Sequence, residues 1–371
     1  MTQKLRVGIL FGGKSAEHEV SLQSAKNVVE AIDRNKYDVV LIGIDKQGRW
    51  YLNEASRFLL NADNPKLIAL NQANENVALV TAPSGQQQLV SLSDNKSFGQ
   101  LDVIFPVLHG PFGEDGTIQG LLKLANVPFV GASVLGSAVG MDKDVMKRLL
   151  RDAGIPTARF LVYPQSLQRE IDFEEVTRQL GSPVFVKPAN LGSSVGIHKV
   201  SDREAFGLAV RDALQYDSKI IIEEFMQGRE IECSVLGNED PVASLPGEIL
   251  PQDEFYSYRA KYIDEHGAVL EIPAKLPQAI VERVQELAIA TFKTLCCEGM
   301  ARVDFFLRKE REVYVNELNS IPGFTRISMY PKLWEVSGIP YSELIDRLIQ
   351  LAIARFEKEK KLKTSVELDQ P

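Results

Sequence analysis

Cysteine is scarce in this 371-residue chain: Cys233, Cys296 and Cys297, an odd number with two of them adjacent. That arithmetic suits neither a disulfide framework nor the paired spacing of a zinc site, and it points to the reducing cytoplasm. Long apolar runs are missing as well. No stretch approaches the 18 uninterrupted apolar residues of a membrane helix, and the first run, Val7 to Phe11, is too short for a signal sequence and stops at Gly12 and Gly13. No membrane partner is expected. Positive charge is in deficit: 42 Lys and Arg against 50 Asp and Glu leave a formal net charge of -8. A nucleic-acid backbone calls for clustered cations, so no nucleic acid is expected as partner, whereas one nucleotide needs only a few local cations and a divalent ion. Internal repeats and low-complexity tracts are absent too.

What remains is the composition of an ordinary globular enzyme, 44% hydrophobic and 25% charged, long enough for two or three domains. Leu5–Phe11 reads as a buried strand, followed by a Gly12-Gly13 turn and a helix with apolar residues at Val20, Val28, Val29 and Ile32. Val39–Ile44 completes a βαβ unit that opens a parallel sheet. Residues 45–100 lose this rhythm and read as an insertion with a small antiparallel excursion (Val77–Thr81, Gln88–Leu92). A strand at Val103–Leu108 runs into the loop His109–Gly116, and a helix starts near Thr117. Residues 127–141, uncharged and rich in Gly, Ser and Ala, read as close packing or a loop. Asp142–Arg151 is an amphipathic helix, stopped by Gly154 and Pro156. Two strand-rich stretches follow. Phe160–Val162, Val184–Lys187, Ile197–Val200 and Ile220–Phe225 form one sheet; Ile231–Leu236, Val269–Glu271, Arg302–Leu307 and Val313–Leu318 form another, with a helix over 277–294. From Glu357 the charges alternate without an apolar face, and the tail is expected to fray.

Gly8-Ile-Leu-Phe-Gly-Gly13-Lys14-Ser15 matches the phosphate-binding pattern GxxxxGK[ST] letter for letter. A P-loop needs its intervening residues in an open loop whose amides wrap phosphates. Here they are Ile, Leu and Phe, which belong inside the strand. We read the match as accidental, and Gly12-Gly13 as a tight turn presenting Ser15–Glu19 at the sheet's C-terminal edge, where open α/β sheets bind ligands.

The strongest chemical signal is the strand pair Ala301-Arg-Val-Asp-Phe-Phe-Leu307 and Val313-Tyr-Val-Asn-Glu-Leu-Asn319. Side chains two apart share a face of a strand. A hairpin centred between Glu310 and Arg311 sets Asp304 opposite Glu317 and Arg302 opposite Asn319. One face then carries two carboxylates, an amide oxygen and a guanidinium, a set suited to magnesium and to charge on a transferred phosphoryl group. An exposed face carrying a surface ion pair is the plain alternative. Upstream, Val184-Phe-Val-Lys187 leads into the Gly/Ser-rich turn Gly192-Ser193-Ser194-Val-Gly196, which could bind phosphates or be a simple hairpin turn. Ile221-Ile-Glu223-Glu224-Phe225-Met226 could hold an adenine between apolar side chains with a carboxylate on its amino group, or be an ordinary strand end.

Taken in order, these segments resemble the ATP-grasp family and, within it, the D-alanine–D-alanine ligases. The resemblance runs from Phe11 to about Ser342 and is weakest over 45–100. It is carried by Gly12-Gly-Lys-Ser-Ala-Glu-His-Glu-Val-Ser-Leu22, Leu108-His-Gly-Pro-Phe-Gly-Glu-Asp-Gly-Thr117, Met141-Asp-Lys143, Gly192-Ser-Ser-Val-Gly196, Ala260-Lys-Tyr262 and Asn316-Glu-Leu-Asn-Ser-Ile-Pro-Gly-Phe-Thr325. The fold it implies is α/β (α+β), with three parts. A Rossmann-like domain would span 1–135 with an insertion at 45–100, a central lid domain 136–226, and a C-terminal domain with the metal site 227–371. The implied activity is ATP-dependent joining of two D-alanines through D-alanyl phosphate, for peptidoglycan precursors. ATP is the co-substrate and two magnesium ions the cofactors, with manganese able to substitute; a cytoplasmic homodimer is implied as well. Another ATP-grasp ligase on a different acid, or a nucleotide-binding protein without catalysis, is the rival.

Carried over by motif, Glu17 would hold the ammonium of the first D-alanine and, with Ser193 and Tyr262, close the site. His109 would lie near that substrate's carboxylate. Lys143 and Lys187 would bind phosphates and Lys261 the adenine side. Glu223 would take the adenine amino group, beside Glu224, Phe225 and Met226, and Glu230 the ribose. Asp304, Glu317 and Asn319 would hold magnesium. Arg302 and the Gly323 amide would stabilise the tetrahedral intermediate, and Ser328 would take the second carboxylate. The resemblance also implies that tyrosine at position 262 goes with dipeptide synthesis and phenylalanine with ester formation. Phe225 and Met226 follow the family only in type. Glu19 reads as a helix-dipole partner. Residues 252–264, rich in Tyr and charge, are the expected lid over an acyl-phosphate that water would destroy.

Overall fold

A computed structural model describes residues 4–54, 58–62, 64, 67–71, 75–81, 87–192, 195–251, 268–325 and 327–363. Ser193, Lys261, Tyr262 and the expected lid lie outside them. The first strands are β1 (Leu5–Gly12), β2 (Tyr37–Ile44), β3 (Trp50–Asn53), β4 (Leu59–Leu60), β5 (Ala69–Leu70), β6 (Glu75–Thr81), β7 (Gln87–Ser91) and β8 (Val103–Val107). Six of them form one sheet in the order β7-β6-β3-β2-β1-β8, and β4 and β5 make a separate ribbon. Strand β1 pairs parallel with both β2 and β8. Its Val7, Ile9, Leu10 and Phe11 are fully buried, as expected where helices cover both faces of a parallel sheet. Helix α1 (His18–Ala31) covers one face through Leu22, Ala25 and Val28; α2 (Thr117–Leu124) covers the other through Ile118 and Leu122. Gly8 sits mid-strand, paired with Val40 and Ile104, so the P-loop pattern has no loop. The antiparallel strands of the 45–100 segment extend the edge of this same sheet, β3 on β2, β6 on β3 and β7 on β6.

The second sheet is wholly antiparallel, in the order β11-β10-β12-β9, from β9 (Phe160–Pro164), β10 (Val184–Pro188), β11 (His198–Val200) and β12 (Lys219–Glu224). It has its own core, with Val176 and Phe206 of two covering helices packed on Val184, Val186 and Ile222. The third comprises β13 (Arg229–Gly237), β14 (Val242–Ala243), β15 (Gly247–Pro251), β16 (Ala268–Glu271), β17 (Gly299–Arg308) and β18 (Glu312–Asn319), in the order β16-β15-β13-β17-β18 with β14 on β13. A helix over Gln278–Thr294 backs it, burying Val284, Leu287 and Phe292 against Ile231, Val303 and Val315.

Three observations add to these readings. Residues 127–141 contain α3 (Val134–Met141) rather than only a loop. Close packing is nonetheless why they are small: a Cβ on Gly136 would lie 2.5 Å from the Cys296 carbonyl oxygen. Next, α4 (Lys143–Asp152), capped by the Asp142 carboxylate on the Asp144 and Val145 amides, buries Met146 and Leu150 in the third sheet's core. Finally, the last helix, Tyr341–Glu359, runs past Glu357. Its Leu344, Ile345 and Leu348 join a core containing Val103 and Phe105 of the first sheet and Phe324 and Tyr330 beyond the third. Tyr37 donates to Asp346 across this junction at 2.6 Å. The first and third sheets are thus held by one continuous core, which fixes the loop 320–325 between them.

Candidate active site

Strands β17 and β18 pair Arg302 with Asn319, Val303 with Leu318, and Asp304 with Glu317, the register the spacing gives. It is not one straight hairpin, however. Between Asp304 and Phe305 the register slips, Phe305 facing Val315, so that Asn316 is the extra residue of a bulge. The turn is tight, with Lys309 and Glu310 at φ 47 and 57. Apolar Val303, Phe305 and Val315 are buried in the core, and the polar residues occupy the opposite face. There the Arg302 guanidinium donates from Nε to Asp304 Oδ1 at 2.7 Å and from Nη2 to Oδ2 at 2.8 Å. Its Nε also lies 3.0 Å from Oε2 of Glu232, a buried acid on β13 directly opposite Asp304. Asn319 Nδ2 donates to Asp304 Oδ2 at 3.0 Å, and Glu317 pairs with Lys143 at 3.4 Å.

Among the described residues no group of three His, Cys, Asp or Glu is set to hold a metal. The oxygen groups that share this face are those of Asp304, Glu317 and Asn319, with Glu232 beside Asp304 on β13. Asp304, Glu317 and Asn319 are hard oxygen ligands suited to magnesium, and each acid here carries a cation whose charge a metal ion would replace.

This face forms one wall of a cleft of about 390 Å³ whose other wall is the end of the second sheet. Lys187, Glu223, Phe225, Met226, Glu230, Phe306, Asn316 and Glu317 line it. Across that wall Lys187 Nζ donates to Glu223 Oε2 at 2.7 Å, and Lys147 Nζ lies 3.1 Å from Oε1. Two lysines on one buried carboxylate outweigh its desolvation and hold Glu223 down at about 2. Lys143, at the first turn of α4, also donates to the Leu191 carbonyl at 2.7 Å, just before the Gly/Ser turn. Glu224 turns to Arg159, accepting its amide and its Nε at 2.8 Å each. Phe225 carries the Lys199 ammonium 4.6 Å above its ring.

At the far end, the N-terminal domain meets the loop after β18. Glu17, buried at the N-cap of α1, places Oε2 against Gly110 and Gly192, leaving no room for a Cβ on Gly110. Glu19 instead pairs with Lys46 at 2.7 Å. His109 is buried, with Nδ1 3.0 Å from the Ile321 carbonyl and Nε2 3.0 Å from Ser24 Oγ. A carbonyl only accepts, so Nδ1 bears the proton and Nε2 accepts from Ser24, whose oxygen takes the Phe324 amide at 3.2 Å. Burial pushes the imidazole down to about 4, with Arg302 adding to the effect. Glu114 bridges the same two loops, accepting the Gly110 amide at 2.8 Å and the Ile321 amide at 2.9 Å. Burial and the Glu17 charge push its carboxyl up to about 8. Ser328 Oγ accepts the Thr325 amide at 2.9 Å and packs against Gly323, where a Cβ would meet it at 2.6 Å.

The motifs passed over Glu232, Lys147, Ser24 and Glu114. Glu114 lies inside a quoted motif, and Lys147 is one helical turn beyond Lys143, so periodicity alone puts it on the same face. Nothing in the sequence marks Glu232 or Ser24, whose roles depend on cross-strand and inter-domain contacts.

A Rossmann-like sheet followed by two antiparallel units that clasp a cleft, cations on one wall and acids on the other, defines an ATP-grasp ligase. Family models described as "D-ala D-ala ligase N-terminus" and "D-ala D-ala ligase C-terminus" match residues 6–132 and 149–350. The chain belongs to the D-alanine–D-alanine ligase family. It is 60% identical to the D-alanine–D-alanine ligase of Shouchella clausii over 98% of both chains. To ligase A of Escherichia coli K12 it is 53% identical, over 98% of this chain and all of that one. Among solved structures, the D-alanine–D-alanine ligase of Coxiella burnetii superposes with a TM-score of 0.82 at 39% identity, covering 96% of this chain and 98% of that one. The ligase of Bacillus anthracis complexed with ATP gives 0.72 at 29% identity, over 96% and 100%.

Proposed function

We propose that this protein joins two D-alanines into D-alanyl-D-alanine at the expense of ATP, with peptidoglycan precursors as the product's destination. The observation that carries the reading is that Asp304 and Glu317, with Arg302 and Asn319 beside them on the same face, lie across one cleft from Lys187 and Glu223. The family relationship supplies the substrates. Adenine would lie between the second sheet's end and Phe306, with Glu223 accepting from its amino group and Glu230 from the ribose. Lys187 and Lys143 would meet the phosphates. Asp304, Glu317 and Asn319 would hold two magnesium ions, which neutralise phosphate charge when bound. The first D-alanine would place its ammonium on Glu17, its carboxylate oxygen attacking the γ-phosphorus as ADP leaves. The free amine of the second D-alanine would attack the acyl carbon, forming the C–N bond; the acyl C–O bond then breaks, its electron pair leaving with the phosphate, and the amine's surplus proton goes to solvent. Arg302 and the Gly323 amide would receive the oxyanion charge, a role worth about 10²–10³ in rate per donor. Ser328 at the head of a helix would take the second carboxylate. Ser193 and Tyr262 would complete the closure over Glu17.

Both ring nitrogens of His109 are engaged by protein groups. That supports a part for it in fixing the loop that carries Gly323. No described helix is long and apolar enough to cross a membrane. A cytoplasmic homodimer is the assembly we propose, on the family resemblance alone. The test is incubation with ATP, magnesium and D-alanine, scored for phosphate and for dipeptide by mass. Phosphate release strictly dependent on D-alanine, one dipeptide per phosphate, is expected. Release without dipeptide, or dependent on another acid, would overturn the reading.

A further inference from the structure

Lys147 is among the most deeply buried cations of the chain, about 1% exposed, and it does not line the nucleotide cleft. Its ammonium is held by two groups. Thr157 Oγ1 accepts from it at 3.0 Å and itself donates to the Val315 carbonyl at 3.0 Å, which anchors the lysine to the third sheet. On its other side lies Glu223 Oε1, 3.1 Å away. Glu223 is 2% exposed, and its second oxygen faces the cleft through Lys187. One carboxylate thus has a cation in front that a nucleotide can compete for, and a cation behind that it cannot reach.

This asymmetry matters at the moment of binding. If Lys187 turns to a phosphate, Glu223 loses its shortest contact while remaining buried. An unbalanced buried carboxylate is strongly disfavoured, or takes up a proton. A protonated or rotated carboxyl would no longer be the acceptor an exocyclic amine needs. Resting on the reading of this cleft as the adenine site, we propose that Lys147 is a positioning residue. It is the fixed counter-ion that keeps Glu223 charged and aimed, and so sets the preference for a 6-amino over a 6-oxo purine. Desolvation lowers the affinity of Lys147 for its proton, and Glu223 offsets that penalty.

The test is calorimetric binding of ADP and IDP, which differ only at the 6 position, to the full-length protein. The parent should prefer ADP. Lys147→Met, close to Lys147 in length without its charge, should weaken ADP by about tenfold and IDP far less, so that the ratio collapses. D-Alanine KM should stay within about twofold, since Lys147 touches nothing at that end. A general packing defect would weaken both nucleotides alike. In the Glu223→Gln background no carboxylate needs balancing, so Lys147→Met should change the ADP/IDP ratio no further; equal losses in both backgrounds would overturn the proposal. Should Lys147→Met fail to fold, Thr157→Val, which removes only the hydroxyl that anchors the lysine, should shift the ratio in the same direction by a smaller factor. An unchanged ratio there, too, counts against it. If Glu223→Gln leaves the ratio at its parental value, the adenine assignment itself falls. If Glu223→Gln moves it and Lys147→Met does not, only the role of Lys147 falls.

Discussion

Replacing Arg302 by alanine separates what the guanidinium does for the fold from what it does for the reaction. In the resting site Arg302 spans Asp304, through two bonds of 2.7 and 2.8 Å, and Glu232 at 3.0 Å. Its removal leaves Glu232 buried beside Asp304 with the like charges of both acids unopposed by that cation. Breaking a buried pair in this way costs about 3–5 kcal/mol; the partial exposure of Asp304 and its remaining bond from Asn319 put the value here at the lower end, about 3 kcal/mol. The catalytic loss is independent: one oxyanion donor is worth about 3–4 kcal/mol, or about 10²–10³ in kcat. Arg302→Ala should therefore unfold several degrees lower and turn over about 10²–10³-fold more slowly, while ADP binds within about threefold of the parent. Adding Glu232→Gln removes the orphaned charge, so the double variant should regain stability but not turnover. Thermal melts, calorimetry with ADP and steady-state phosphate release read the three quantities separately. Recovery of kcat along with the melting temperature in the double variant would refute the assignment, since Arg302 would then act only as a brace. A loss of kcat below about tenfold in the single variant would do the same.

Lys187→Ala should abolish ATP turnover, whereas Lys14→Ala should leave ADP affinity nearly unchanged, because Lys14 lies over the Phe112 ring at 4.7 Å and outside the nucleotide cleft; the reverse result would move the nucleotide to the N-terminal sheet. His109 stays neutral in the folded protein down to about pH 4, while the unfolded chain takes up that proton near 6.5. At this residue the unfolded state therefore binds more protons between those values, a contribution that lowers stability by about 3 kcal/mol as pH drops through that window and that Glu114, whose folded carboxyl keeps its proton up to about 8, opposes. His109→Gln should flatten that part of an acid-denaturation profile, and persistence of the full slope would show that other groups carry it. Tyr262→Phe should gain measurable D-alanyl–D-lactate synthesis and keep some dipeptide activity, since losing the hydrogen bond proposed for its hydroxyl, worth about 1–3 kcal/mol, would shift preference without emptying the site. Product analysis with D-alanine and D-lactate in competition checks this, and product ratios identical to the parent's at every pH would remove Tyr262 from the discriminating role.

The parts of this site that lie within one element or one hairpin were legible in the sequence, because strand periodicity and motif spacing specify which side chains share a face. Asp304, Glu317, Arg302 and Asn319 fall together for that reason, and Gly8 stays inside β1 because the residues after it are too apolar for a phosphate loop. The bulge at Asn316 was not legible, since a one-residue slip toward the turn leaves the alternation at the site intact. Nor was α3, whose small residues carry no helical apolar stripe; its Gly136 answers to the Cys296 carbonyl, more than 150 residues away. Glu232 and Ser24 became visible only once β13 lay beside β17 and the 320–325 loop lay against α1.

The distribution of cores explains why the site carries so many ions. The first and third sheets share one apolar core, so His109, Gly323 and Arg302 belong to a single packed body. The second sheet has its own core and meets that body largely through charge. From the start of α4, Asp142 and Asp144 take the Lys219 ammonium at 2.7 and 2.9 Å, Lys143 takes the Leu191 carbonyl, and Lys147 faces Glu223. An apolar interface of the same extent would lose its stabilisation in proportion to the area exposed on opening. Ion pairs and single hydrogen bonds exchange more readily with water and with a ligand's own charges, since each partner lost can be replaced by another of the same sign. A seam built from α4 therefore suits a cleft that must admit a polyphosphate: Lys143 and Glu223 are groups a nucleotide would engage when the cleft is filled, while Lys147 and the Asp142, Asp144 and Lys219 cluster lie off the cleft and hold the two bodies together behind them.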